Sequence, residues 1–132
     1  MKTKETFAGS YIVRVGDINY GGHMGNDKSL LLFHDARLNF LAQHGFSEKD
    51  IGGSGLIMSE AHVYFRKEVF RDDELKVYIT IKTLKELSFE MHYSIKRDDI
   101  EVMSGSTKMV SFDYRNKRVV KIPNFFVAII KE

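Results

Sequence analysis

The residues of this chain best equipped for chemistry crowd into one stretch, Arg14-Val15-Gly16-Asp17-Ile18-Asn19-Tyr20-Gly21-Gly22-His23-Met24-Gly25-Asn26. Imidazoles ordinarily titrate close to neutral pH, so His23 is of the type that serves as a general base toward water. Asn19 offers an amide that can place that water. Asp17 offers a carboxylate that can either orient His23 or brace the loop by accepting backbone N–H bonds. Four of the eleven residues from 16 to 26 are glycine. That suits neither a helix nor a central strand, so the segment reads as a loop whose backbone bends sharply or closely approaches something. A helix pattern follows at once. The free N–H groups and positive dipole end at its start can stabilise an oxygen that gains negative charge. Each residue also has a plainer reading: Asp17 as a loop acceptor, His23 as a satisfied turn residue, Asn26 as a helix cap that presents its N–H.

Other chemistries find little support. The chain has no cysteine, hence no thiol nucleophile, disulfide or cysteine-ligated zinc, which fits a reducing compartment. His34, His44, His62 and His92 show no metal-ligand spacing, and Glu60 reads as a surface or paired carboxylate. The glycine loop lacks the Lys-Ser/Thr that would cradle nucleotide phosphates. The net charge is only +2, and the basic residues alternate with acidic ones, as in Arg66-Lys67-Glu68 and Arg71-Asp72-Asp73-Glu74. This is a solvated surface rather than a nucleic-acid footprint. The longest apolar runs, Leu30 to Phe33 and Phe125 to Ile130, are too short to span a bilayer. Met1-Lys2-Thr3-Lys4-Glu5 leads into no signal-type apolar region, so a soluble cytoplasmic protein is expected.

The elements that must position the loop follow from periodicity. Ser10 to Val15, rich in β-branched and aromatic residues, predicts a strand. After the loop, Asn26 or Asp27 can cap a helix running from about Lys28 or Ser29 to His44, with Gly45 as its stop. Its start, Leu30-Leu31-Leu32-Phe33, is apolar nearly all round and suggests a helix wrapped on several sides. Ile51 to Gly55 is a second glycine-rich loop, and strands are predicted over Leu56–Arg66, Glu74–Leu84, Ser88–Arg97, Ile100–Asp113 and Arg118–Ile122. A strand, a long buried helix, then consecutive strands on tight turns imply an α+β fold: one curved antiparallel sheet around one helix, in a single domain over residues 1–132. The sheet's edge and outer face are left open, and Tyr78, His92 and Tyr93 are larger than a solvated face requires. An oligomer partner is therefore expected.

The loop, with Asp35-Ala36-Arg37 in the helix after it, resembles the signature of the 4-hydroxybenzoyl-CoA thioesterase family of hot-dog-fold acyl-CoA thioesterases. That signature has an Arg, Asp-x-Asp, a Gly-His/Val-Val element and a Glu-x-Ala-Arg-like helix segment. The strand Ala61-His62-Val63-Tyr64-Phe65, the turn Asp72-Asp73-Glu74-Leu75, Gly105-Ser106-Thr107 and the Ile122-Pro123 close are similar too, so the likeness spans nearly the whole chain. The resemblance implies the hot-dog fold, hydrolysis of an acyl-CoA or acyl-carrier-protein thioester, and a homodimer or dimer of dimers. It implies no metal, flavin or nicotinamide, coenzyme A entering only as part of the substrate. The family's usual catalytic carboxylate, the second Asp of Asp-x-Asp, is Asn19 here, while the first is kept as Asp17. Plant acyl-carrier-protein thioesterases resemble this region as well and use a histidine at the position of His23. The candidate catalytic residues are therefore Asp17, Asn19 and His23. The candidate substrate-binding residues are Gly22, Met24, Gly25 and Asn26, with the thioester carbonyl directed at the N–H of Gly25 or Asn26. A non-catalytic acyl-thioester binding or regulatory protein is the alternative that Asn19 suggests. A dehydratase or hydratase would need its own acid/base pair, for which no motif is present.

Overall fold

The computed structural model describes residues 2–131. The strands are β1 (Thr6–Ile12), β2 (Gly55–Phe65), β3 (Glu74–Lys82), β4 (Ser88–Arg97), β5 (Ile100–Asp113) and the two-residue β6 (Arg118–Val119). The helices are α1 (Ser29–Gln43) and α2 (Asn124–Lys131). The strands form one antiparallel sheet in the order β1-β3-β4-β5-β2, with β6 on β5. It curls around α1, the hot-dog arrangement.

Alternation places the core. On β3, Leu75, Val77, Ile79 and Ile81 face inward; on β4, Phe89, Met91, Tyr93 and Ile95 do. All are buried against α1's inner stripe of Leu32, Phe33, Ala36, Phe40 and Leu41, whose spacing is the ordinary single face of a core helix. The helix is therefore not wrapped on all sides within the chain. Leu30, Leu31 and Leu38 point outward at 43%, 59% and 42% exposure. Tyr93 also belongs inside rather than on the outer face, and Tyr78 is half-buried, tilted against Phe7 with Lys96 over its ring.

The first strand begins and ends earlier than its composition suggests. Gly9 carries φ +129° and breaks the β1–β3 register, and the Asn39 amide from α1 fills the place of its missing side chain while donating to the Ala8 carbonyl at 3.0 Å. At the other end, Val13 exchanges backbone bonds with Asp72 and Asp73, turning the chain out of the sheet. Neither Asn26 nor Asp27 caps α1 with its side chain. A single 3₁₀ turn over Asn26–Lys28 precedes the helix, and Ser29 bonds back to the Asn26 carbonyl through its N–H and, at 3.2 Å, its hydroxyl. At the far end α1 stops as expected at Gly45, with φ +82°.

The apolar run from Phe125 to Ile130 forms the C-terminal helix α2. Pro123 just before it and Phe126 and Ile130 four residues apart on its buried face are the local signals for it. Phe126 packs between Phe46 and Phe89, ring centroids 5.1 and 5.4 Å away, and closes the end of the core beyond the C-terminus of α1.

Gly105 marks a tight point. A Cβ there would lie 2.6 and 2.7 Å from the Phe33 ring and would strike the His62 carbonyl oxygen of the neighbouring strand. Gly105→Ala is expected to cost about 1–3 kcal/mol through overpacking. The urea midpoint should fall, and an unchanged midpoint would refute that close contact.

Candidate active site

The loop from Ile18 to Met24 is a tight hairpin. Asn19 and His23 pair through their backbones at 2.9 Å, Gly22 takes φ +79°, and the Gly22 N–H returns to the Asn19 carbonyl at 3.0 Å. This hairpin is pinned to the β2–β3 connection, where His23 bridges Phe70 and the Met24 N–H donates to the Val69 carbonyl. Sequence-distant residues thereby become the second wall of the site. A cleft of about 170 Å³ opens between them, lined by His23, Met24 and Asn26 on one side and by Phe65, Arg66 and Val69, among others, on the other, with Met103 of β5 also lining it.

Asp17 has its carboxylate occupied within the loop. Its Oδ2 accepts from the Tyr11 hydroxyl at 2.7 Å and from the Arg14 N–H at 2.8 Å. Burial, and the carboxylate that accepts its proton, push the Tyr11 hydroxyl up to about 12, so it remains a donor. The Asp17 carbonyl in turn accepts the Gly25 N–H at 2.8 Å. Of the two N–H groups considered for the thioester carbonyl, Gly25's is therefore already used, whereas Asn26's meets no acceptor among the described residues. Asn26 is exposed, one turn ahead of α1, where the helix dipole favours negative charge.

Asn19 is exposed and turned into the loop, its Oδ1 accepting the Gly21 N–H at 2.9 Å. His23 is half-buried. Its Nδ1 lies 3.3 Å from the Met24 carbonyl, an acceptor only, so the tautomer protonated at Nδ1 keeps a lone pair on Nε2. A Cβ at Gly21 would sit 3.0 Å from Nε2, so glycine there keeps that nitrogen uncrowded. The structure thus brings His23, Met24 and Asn26 to one cleft. Asp17 and Asn19 act on the loop's own backbone, and Gly22 and Gly25 shape it. The lining residues from Phe65 to Val69, and Met103, were missed; no local signal could have found them, because only the tertiary fold sets them opposite His23.

A second, buried constellation lies between α1, the segment after it and the sheet. Arg37, 6% exposed, donates from Nε to Glu48 at 2.6 Å and from Nη1 to the Tyr93 hydroxyl at 3.1 Å, and that hydroxyl meets Thr107 Oγ1 at 2.7 Å. Burial opposes the Arg37 charge, but Tyr93 and Glu48 outweigh it and hold its pKa above the usual value. Ala36-Arg37 and Gly105-Ser106-Thr107, far apart in sequence, are two halves of this packing unit.

Two larger hollows, about 290 and 350 Å³, lie on the outer face of the sheet. Their histidines pair with carboxylates, His92 with Glu90 at 2.8 Å and His62 with Glu60 at 3.6 Å, and Lys108 reaches Glu60 at 3.7 Å. The helix start and its N–H groups are not part of these hollows, which makes the smaller cleft the better candidate. Among the described residues no group of His, Asp and Glu is arranged to hold a metal ion, and no helix is long and apolar enough to cross a membrane.

With the fold and cleft in place, comparison with known proteins gives the family. The model of the thioesterase-like superfamily matches residues 13–130, and the chain belongs to that superfamily. It is similar to a protein of Aquifex aeolicus (strain VF5) whose name assigns it only provisionally to the esterases, with 28% identity over 102 residues, 76% of this chain and 78% of that protein. It is also similar to a 1,4-dihydroxy-2-naphthoyl-CoA hydrolase of Microcystis aeruginosa, with 24% identity over 115 residues, 85% of this chain and 83% of that protein. A 1,4-dihydroxy-2-naphthoyl-CoA thioesterase from Synechocystis has the same fold, with a TM-score of 0.84, 19% identity and 96% of each chain covered.

Proposed function

We propose that this protein hydrolyses an acyl-CoA thioester in the cleft between the His23 hairpin and the β2–β3 connection. The observation that carries the reading is the joint placement of His23 and Asn26, whose N–H meets no acceptor among the described residues, on one cleft with an apolar lining of Met24, Phe65, Val69 and Met103. The acyl group rests on the apolar lining, and the thioester carbonyl accepts from the Asn26 N–H. His23 Nε2 takes a proton from water as the water oxygen attacks the carbonyl carbon. The tetrahedral intermediate then collapses, the C–S bond breaks, and the thiolate of coenzyme A leaves and is protonated. Asp17 serves this chemistry by holding the loop, and the acyl-CoA substrates of the superfamily relatives support the choice of carrier. The test is hydrolysis of short-chain, long-chain and aromatic acyl-CoA substrates by the purified protein. The fixed, uncharged side chain at position 19 favours one rival, an acyl-thioester binding protein without turnover. Clear binding with hydrolysis no faster than buffer would establish that rival.

We further propose a homodimer. Among the described residues, strand β2 pairs only with β5 and leaves its other edge open, although it is 11 residues long. Met58, Tyr64 and Phe65 on it are 44%, 56% and 51% exposed, and Leu30 and Leu31 at the start of α1 are exposed as well. An open apolar edge of this length is the kind that proteins cover. A second copy of β2 would extend the sheet antiparallel and roof the cleft. Sedimentation at micromolar concentration is expected to give twice the chain mass of 15.3 kDa or a higher multiple, and a mass equal to that of one chain would refute this assembly.

A further inference from the structure

A water that attacks a thioester carbonyl has two O–H bonds. One hydrogen goes to the base. The other needs an acceptor that fixes how the water lies. Asn19 has a suitable oxygen, but that oxygen accepts the Gly21 N–H at 2.9 Å, and Asn19 is not among the residues lining the cleft. The residues that do line it leave few acceptors. Met24, Phe65, Val69 and Met103 are apolar. Arg66 and Lys67 carry donors only, and Arg66 is already turned to Glu101 at 2.8 Å and Ser104 at 3.2 Å. The Asn26 side chain offers an uncharged amide oxygen. Glu68 alone brings a carboxylate to the cleft among the described residues. It stands in the β2–β3 connection two residues before Phe70, the residue that bridges His23. Its backbone carbonyl accepts from Arg97 Nη1 at 3.0 Å, and the same nitrogen pairs with Asp73 at 2.8 Å, so the connection is braced where Glu68 leaves it. The side chain itself is exposed, and its carboxylate enters no hydrogen bond or ion pair among the described residues.

We propose that Glu68 is a further catalytic residue, its carboxylate holding the attacking water beside His23. This rests on reading the cleft as the thioesterase site. The water donates one hydrogen to His23 Nε2 and the other to the Glu68 carboxylate. As the water oxygen bonds to the carbonyl carbon, the first proton passes to Nε2. The second stays on that oxygen, still held by Glu68. His23 then gives its proton to the thiolate as the C–S bond breaks, and the carboxylic acid leaves with the other. The Glu68 charge also offsets the positive charge that His23 gains in the attack.

The experiment measures kcat and KM on short-chain, long-chain and aromatic acyl-CoA substrates for the wild type, Glu68→Gln and Glu68→Ala, the last with and without added acetate. On the preferred substrate, Glu68→Gln is expected to lower kcat by about 10²-fold and to change KM by less than about threefold, because the group acts on water rather than on the acyl chain. Thermal unfolding should be unchanged, since the carboxylate supports no other bond. Acetate, a free carboxylate, is expected to raise kcat of Glu68→Ala by about tenfold or more and to leave the wild type as it was. Full turnover in Glu68→Gln, a loss confined to KM, or a loss in Glu68→Ala that acetate does not relieve overturns the role of Glu68 and leaves the thioesterase reading intact. A wild type that hydrolyses none of the substrates removes both.

Discussion

His23→Ala is expected to lower kcat/KM on the preferred acyl-CoA by about 10²–10⁴-fold, the usual loss when a general base is removed. KM should change little, because the imidazole acts on water rather than holding the substrate. Asn19→Asp, by contrast, is expected to leave the rate within a few-fold. Position 19 is exposed, and its side-chain oxygen is committed to the Gly21 N–H at 2.9 Å, a bond that an aspartate can also accept. These two substitutions separate the competing accounts of the site. If turnover is absent in the wild type and appears only on Asn19→Asp, the carboxylate at that position is the missing catalyst. His23 would then be a turn residue held by its contact with the Met24 carbonyl.

The largest effect on stability is expected at Arg37. Arg37→Met removes a guanidinium that is 6% exposed and leaves Glu48, the Tyr93 hydroxyl and Thr107 to rearrange around its absence. Breaking one side of a buried pair costs about 3 kcal/mol or more. Glu48 is a quarter exposed and regains some water, which places the expectation at the lower end of that range. For a domain of this size, such a loss lowers Tm by roughly 10 °C. Tyr93→Phe alone should cost about 1 kcal/mol, one hydrogen-bonded hydroxyl, and the double variant should cost less than the sum because the two groups bond each other. A fall in Tm of only a degree or two for Arg37→Met would show that the network contributes little to folding. Because Phe33 stacks on Tyr93, the same network also ties α1 to the sheet.

The strands β3 and β4 were legible because their inward side chains alternate without interruption, and burial on one face enforces that period; β5 keeps it only from Met103 on, Val102 being buried as well where the β4–β5 register shifts. The glycine-rich hairpin and the helix after it were legible because few other residues adopt the conformations and close approaches found there, as at Gly22 with φ +79°. Strand β1 was misplaced since its limits depend on Gly9, which yields to Asn39 of α1, a partner thirty residues away. The chain thus determined by itself its alternating strands, its one long helix and the chemical types gathered before it. Which of those types act together was decided by tertiary structure. Folding turned Asp17 and Asn19 onto the loop's own N–H groups, engaged the Gly25 N–H, and set Met103 and the β2–β3 connection opposite His23. The physical reason is that secondary structure follows from periodicities within a segment, whereas a hydrogen bond or a cleft needs two surfaces brought together by the burial of a shared core.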